Sequence, residues 1–437
     1  MDIEISKEKA FAEGLLRFID SSPTPFHAVR EAKARLLSAG FRELRETAPW
    51  PVLRSREKYY VTRGGSSLIA FIVGEDILER TGFKIIGAHT DSPTLRLKPN
   101  ALYDHHGCAQ LGVEPYGGGV WRTWLDRDLA IAGRVVVRKD GKLFSRLVDL
   151  RDIGPIGSIS GLAVHLQRDV NENGAINNQT DLPATIGLEG VELRDLYDLF
   201  APGEEVISFC LSLCDTQLGT LAGMNEEFVR VGRLDNLDSV YQALSAIIDT
   251  KDPETTVVAA FWDHEEVGSA SAQGAAGSFL GDALSRMYQM NGKGYFESII
   301  ARSFLISCDN AHAVLPNHSA KYEARHAPRI GGGPVIKYNA NLRYATSDHS
   351  AAIFANLCDI ARVEYQNYVN RSDMSCGSTI GSIVAPKVGI LTVDVGTPQW
   401  AMHSIREQAG VNDIYAMYKV LKTFYSRGRE VVEIFDE

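Results

Sequence analysis

Short, mostly apolar runs alternate with helical patterns through much of this chain, and that alternation constrains its fold more than any other feature. Residues 69–73, 83–87, 257–262, 304–307 and 390–395 read as strands. Between and around them, apolar residues recur at helical spacing. Phe11, Leu15, Leu16 and Ile19 share one face, and a second helical stretch over residues 28–37 follows the break at Pro23 and Pro25. Leu237, Val240, Tyr241, Leu244 and Ile248 mark another helix, and Ile414, Tyr418, Leu421 and Tyr425 a last one. Strand–helix alternation on this scale predicts an α/β fold, a mixed sheet layered by helices.

The stretch from Lys98 to Gly232 breaks the pattern. It carries the run Gly117-Gly118-Gly119, a hairpin signal at Asp140-Gly141 between residues 134–138 and 143–147, a polar loop over residues 171–181, and few helical patterns. We expect residues 98–232 to form a β-rich unit inserted into a catalytic one built from residues 1–97 and 233–437. A chain of 437 residues is long enough for one large or two domains.

Composition narrows the function classes. Hydrophobic residues make up 45% and charged residues 23%, so there is ample material for a core. The net charge of −10 contains no run of Lys and Arg, which argues against nucleic-acid binding. No stretch approaches the roughly 20 apolar residues of a membrane helix, and the first residues lack the pattern of a secretory signal. Six scattered cysteines suit reduced thiols better than a disulfide scaffold, so the expected compartment is the cytoplasm.

The chemistry gathers in five segments rich in acids and histidines. His89 and Asp91 follow the strand at 83–87, Glu265 and Glu266 the strand at 257–262, and Asp309 and His312 the strand at 304–307. His403 lies beyond the strand at 390–395, while Asp235 opens a helix. In open α/β sheets the functional crevice lies outside the carboxyl ends of the strands, where four of these five segments fall. Imidazole and carboxylate ligands suit a hydrolytic site with two metal ions, and two such ions roughly 3.5–4 Å apart need a bridging carboxylate. Asp235 could bridge, with His89 and Asp309 completing one ion and Glu266 and His403 the other. Glu265 is then the general base for the water between them, and Asp91 orients the His89 imidazole. Alone, each piece has a plainer reading: Asp235 as a helix N-cap, His403 as a partner of Glu407, Glu265-Glu266 as a solvated acidic pair.

The segments GAHTDSPTLRLKP, RLDNLDS, DHEEVGS, SCDNAHAVLPN, GGGPVIKYNANLRYAT and HSIRE, in this order, resemble the aspartyl aminopeptidase family of metallopeptidases over nearly the whole chain. The resemblance implies the same ligand sets: His89, Asp235 and Asp309 for one ion, Asp235, Glu266 and His403 for the other, with Glu265 catalytic. An unusual local backbone at Asp235-Asn236 is implied too, as a bridging carboxylate often needs. It further implies that His165 reaches a neighbouring subunit's active site and that His312, Lys337 and Tyr344 contact substrate. Lys337 in the S1 pocket would favour an N-terminal Asp or Glu; without the family it reads as a strand lysine facing solvent. The implied cofactors are two divalent ions per subunit, zinc first and cobalt or manganese as alternatives. The implied partners are short peptides with free N-termini and further copies of the chain, dimers assembling into a dodecamer through the β-rich insertion.

Other readings keep some of these features. A carboxypeptidase or N-acyl deacetylase could use the same ions, with Arg343 at the pocket end. A neutral-residue aminopeptidase would differ only at S1. A non-enzymatic assembly protein should have lost some of Glu265, Asp235 or His403, yet all are present.

Overall fold

The computed structural model describes residues 6–434. Its centre is a nine-stranded sheet in the order Arg42–Leu44, Lys58–Arg63, Ser67–Ile72, Thr256–Trp262, Phe83–His89, Phe304–Cys308, Leu391–Gly396, Val335–Tyr338, Gln366–Val369. The middle four strands are mutually parallel, and their partners on either side are antiparallel. Strands buried on both faces need apolar residues at most successive positions, which is why the sequence reads there as short apolar runs. Along Thr256–Trp262, Val257, Ala259 and Phe261 face one core, while Val258, Ala260 and Trp262 face the other.

Helices cover both faces. Lys7–Asp20, Pro25–Ser38, Leu234–Ile248, Asp348–Ala361 and Val411–Ser426 pack on the first core, and Phe279–Asn291, Phe296–Ala301 and Ile380–Val388 on the second. The first helix starts where the Ser6 hydroxyl accepts the Lys9 N–H, and Pro25 occupies the first turn of the next, where its missing N–H costs nothing. No helix among the described residues is long and apolar enough to cross a membrane, and the six cysteines are free.

A second, wholly antiparallel sheet has six strands in the order Lys142–Asp149, Leu129–Lys139, Glu205–Asp215, Thr94–His105, Cys108–Tyr116, Ala184–Leu188, over an apolar core of its own. Its hairpin turns at Asp140-Gly141, whose φ values of 50° and 71° match the two left-handed positions of a type I′ turn. The polar loop begins with one helical turn, Val170–Asn173.

A third sheet had no clear sequence signal. It joins Thr220–Ala222 and Phe228–Val231 to Glu407–Gly410, Pro398–Trp400 and Ala311–His312. Residues 220–231, expected inside the insertion, therefore hydrogen-bond to the C-terminal part of the chain. At the other end, the strand Thr94–His105 runs through the expected junction at 97/98. The first departure has a plain cause: strands of two to four residues carry too few positions for a period to declare their partners.

Candidate active site

The parallel strands deliver the acids and histidines to one end of the central sheet. His89 is the last residue of Phe83–His89, Glu265 and Glu266 begin a short turn after Thr256–Trp262, and Asp309 directly follows Phe304–Cys308. Asp235 lies at the start of Leu234–Ile248, where its peptide bond to Asn236 is cis and the backbone of both residues is non-helical. His403 sits between the strands Pro398–Trp400 and Glu407–Gly410 with φ of 65°.

The two carboxylate oxygens of Asp235 face different histidines. Oδ1 lies 3.3 Å from Nε2 of His89 and Oδ2 lies 3.2 Å from Nε2 of His403. Glu266 Oε1 is 3.3 Å from the same His403 nitrogen, and Glu265 Oε2 is 3.9 Å from Nε2 of His89. Ligand atoms of His89, Asp235 and Asp309 lie within 4.8 Å of one another, as do those of Asp235, Glu266 and His403. A third combination, His89 with Glu265 and Glu266, overlaps both.

Each imidazole is held by its other nitrogen. Nδ1 of His89 lies 3.0 Å from the Asp91 carbonyl and 3.4 Å from its Oδ1, and Nδ1 of His403 lies 3.0 Å from the Gly118 carbonyl. Donation from Nδ1 leaves the Nε2 lone pairs directed into the cluster. Asp91 does more than orient His89: its carboxylate also accepts the backbone N–H groups of Glu265 and Glu266, each at 3.1 Å, and so fixes the turn that presents them.

The electrostatics describe a site built for cations. Burial and neighbouring carboxylates push Glu265 up to about 8 and Glu266 well above the usual range. His403 is raised to about 10: burial opposes its charge, but the Asp235 and Glu266 carboxylates outweigh it. The same balance raises His89 and leaves Asp235 strongly acidic, despite its burial, because the imidazoles of His403 and His89 face its two oxygens. Asp235 Oδ1 and Glu266 Oε1 are buried with no hydrogen-bond donor. Buried acceptors without donors, imidazole lone pairs and excess negative charge together fit divalent cations, whose binding displaces protons from such ligands.

The other expected residues fall into two groups. Lys337, on the strand Val335–Tyr338, is buried and not solvent-facing; its Nζ donates to the carbonyls of Asp309 at 2.7 Å and Asn310 at 3.2 Å. That ammonium lies 3.7 Å from Asp309 Oδ1 and 5.2 Å from the ring centre of buried Tyr344. His312 follows Asp309 by three residues, on the short strand Ala311–His312; desolvation by the protein around its ring and the Lys337 charge lower it to about 4. His165 is not among the residues grouped here: it is exposed, in a turn of the insertion among exposed Leu162, Val164 and Leu166. Arg343 is exposed.

Comparison with known proteins now adds what geometry alone does not. The family model for aminopeptidase I zinc metalloproteases (M18) matches residues 18–425. The chain belongs to the M18 family of metallo-aminopeptidases. A relative from Ectopseudomonas mendocina (strain ymp), a probable M18 family aminopeptidase 2, is 47% identical over 424 residues, covering 95% of this chain and 97% of that one. In the cryo-EM structure of the Ape4 and Nbr1 complex, the similar chain is 36% identical with a TM-score of 0.93, covering 98% of this chain and 88% of that one. In the S. cerevisiae mApe1 dodecamer it is 28% identical with a TM-score of 0.84, covering 96% and 97%. The M18 fold is thus shared over essentially the whole chain, and the carboxypeptidase, deacetylase and scaffold readings give way to aminopeptidase.

Residue-level reasoning on this M18 chain missed the partners behind the ligands. Buried Glu407 accepts the backbone N–H of Asp235 at 3.0 Å on one oxygen and that of His403 at 2.7 Å on the other. Tyr116 donates to Asp91, and Asn236 Nδ2 donates to the Cys308 carbonyl at 2.7 Å, tying the Asp235 segment to the strand that precedes Asp309. Glu407 stands inside HSIRE, and the sequence suggests it as a partner of His403, though not of Asp235; nothing in the sequence singles out Tyr116.

Proposed function

We propose that this chain removes N-terminal Asp or Glu from peptides at a centre of two divalent ions, zinc first. The observation that carries the reading is Asp235, whose two oxygens each oppose a separate histidine at 3.3 and 3.2 Å, as a bridging carboxylate requires. His89, Asp235 and Asp309 would hold one ion, and Asp235, Glu266 and His403 the other. When bound, such ions acidify a water and polarise the scissile carbonyl.

With the ions in place, Glu265 would take a proton from a water at the cluster and deliver it to the departing amine; its Oε2 stands 3.9 Å from Nε2 of His89, beside the two ligand sets and outside both. Glu265 and Asp309 together meet the substrate's α-ammonium. Asp91 keeps His89 and the Glu265-Glu266 turn in register through its backbone bonds. Lys337 supports the acidic preference: it is a buried cation 3.7 Å from Asp309, and two of its three donors are taken by carbonyls. A carboxylate at P1 would occupy the third, with Tyr344 packing beside it and His312 at the entrance.

Self-association completes the proposal. The β-rich insertion forms dimers that assemble into a dodecamer, and His165 contributes to a neighbour's site. The relatedness of the S. cerevisiae dodecamer supports this, as does the exposure of Leu162, Val164 and Leu166 around His165.

The test is a panel of N-terminal amino-acid amides and short peptides, with and without a chelator, then with zinc, cobalt or manganese restored. Chelator-sensitive release of Asp and Glu is the expected result. Release of Leu or Ala in their place refutes the role of Lys337, and no release with ions restored refutes the metal mechanism.

A further inference from the structure

Residues 116–120, Tyr-Gly-Gly-Gly-Val, leave the end of the strand Cys108–Tyr116 and run directly against the acid–histidine cluster. They engage it at three points. Tyr116 Oη donates a 2.6 Å hydrogen bond to Oδ2 of Asp91, both residues being buried. The Gly118 carbonyl lies 3.0 Å from Nδ1 of His403, and the N–H of Val120 donates to the His403 carbonyl at 2.9 Å. Between these, Gly117 has φ of +73°, and a Cβ on it would stand 3.1 Å from Cβ of Glu266, so the chain passes this close only because glycine is there.

The contacts reach both groups of ligands. A carboxylate offers about four lone-pair sites. That of Asp91 receives Tyr116 Oη and the N–H groups of Glu265 and Glu266, and it faces Nδ1 of His89 at 3.4 Å. Three hydrogen bonds, one from the phenol and two from the backbone, hold the carboxylate in one orientation, and the His89 ring that faces it and the Glu265-Glu266 turn inherit that orientation. The Tyr116 ring is itself clamped: the Arg96 guanidinium lies over it, 3.6 Å from the ring centre.

We propose that Tyr116 is a positioning residue for the two-metal centre, acting through Asp91, and that residues 116–120 couple the seating of the β-rich insertion to ion binding. The inference rests on the metal reading above. Loss of the Tyr116 hydroxyl leaves Oδ2 of Asp91 without its strongest neutral donor and frees the carboxylate to turn. The cost falls on the ion-bound state, which demands one geometry of His89 and Glu266, more than on the ion-free state, which does not. Linkage makes the effect reciprocal: bound ions hold residues 116–120 in place, so the Val120 amide exchanges more slowly when ions are present.

Tyr116→Phe in the full chain tests this. Chelator-stripped protein is titrated with cobalt(II), following heat and the visible ligand-field bands, and its thermal midpoint is recorded without metal. We expect cobalt affinity to fall about 10- to 100-fold, as for other partners of metal ligands, with altered bands and an ion-free midpoint close to that of the unmodified chain. In the Asp91→Asn background the same substitution should add little, because its route is already cut. Unchanged affinity and bands overturn the proposal, and so do fully additive losses in the double variant. An ion-free midpoint that falls as far as the loaded one, with unaltered bands, overturns it too, since the ring then only packs. If the unmodified chain takes up no cobalt, the metal reading fails first and this inference with it.

Discussion

Glutamine in place of Glu407 keeps the size of the side chain and removes one of two acceptors that the site uses. Glu407 is buried; its Oε2 accepts the Asp235 N–H at 3.0 Å and its Oε1 the His403 N–H at 2.7 Å, so one carboxylate clamps the bridging ligand to a terminal one. The amide of glutamine can accept from only one of these donors and turns its own N–H group toward the other. A hydrogen bond to a charged group is worth about 1.5–3 kcal/mol, and an orphaned buried donor costs about 1–3 kcal/mol. We expect part of this cost to be relieved without ions, where His403 need not keep the geometry of a ligand, and none of it with ions bound. A net cost of about 2–3 kcal/mol against ion binding corresponds to about 30- to 150-fold in affinity at 1.36 kcal/mol per decade. Calorimetric titration of the chelator-stripped Glu407→Gln chain with zinc measures it directly. The ion held by Asp235, Glu266 and His403 should weaken most, since two of its ligands lose their anchor, and the one shared with His89 and Asp309 less. Both constants staying within twofold of the unmodified chain would refute the reasoning.

Glu265→Gln should retain both ions while turnover falls by about 10²–10⁴; metal analysis beside initial rates checks it, and near-normal turnover removes Glu265 from the mechanism. Lys337→Ala should slow release of N-terminal Asp and Glu more than of Leu, on top of a general loss, because its ammonium also binds the Asp309 and Asn310 carbonyls. Equal losses on all three substrates would exclude it as the specificity residue. His27 is fully buried on the helix Pro25–Ser38, with Nδ1 2.8 Å from Thr24 Oγ1, and burial followed by the Arg30 charge lowers it to about 4. Its folded value lies below the unfolded one, near 6.5, so the stability it confers is complete above that pH and is lost as pH falls toward 4. The full difference is about 3 kcal/mol. Denaturation midpoints of the unmodified and His27→Gln chains should therefore converge between pH 6.5 and 4; a constant gap would show that His27 does not titrate this way.

The strands that carry the site were legible because each is buried on both faces, and such strands are apolar at most positions. Phe83–His89 and Thr256–Trp262 announce themselves in this way, and the acids just beyond them stand where an open sheet keeps its crevice. The turn at Asp140-Gly141 was legible for a different reason, since few residues tolerate two successive left-handed positions. Lys337 was not: on a four-residue strand, a lysine reads as solvent-facing until the Asp309 and Asn310 carbonyls are brought beneath its ammonium. The third sheet was invisible for a similar reason, because Ala311–His312 is too short to show a period and its partners lie far away in the chain.

What the sequence determined by itself was the class of fold, the family and the chemical types of the ligands, all of which are written in local periodicity and in motif order. What only the tertiary structure decided was which atoms meet: the two oxygens of Asp235 each before its own histidine, Glu407 spanning Asp235 and His403, and Tyr116 reaching Asp91 from the insertion. Such contacts depend on the orientation of side chains across long stretches of chain, and orientation is set by packing, which local spacing does not encode.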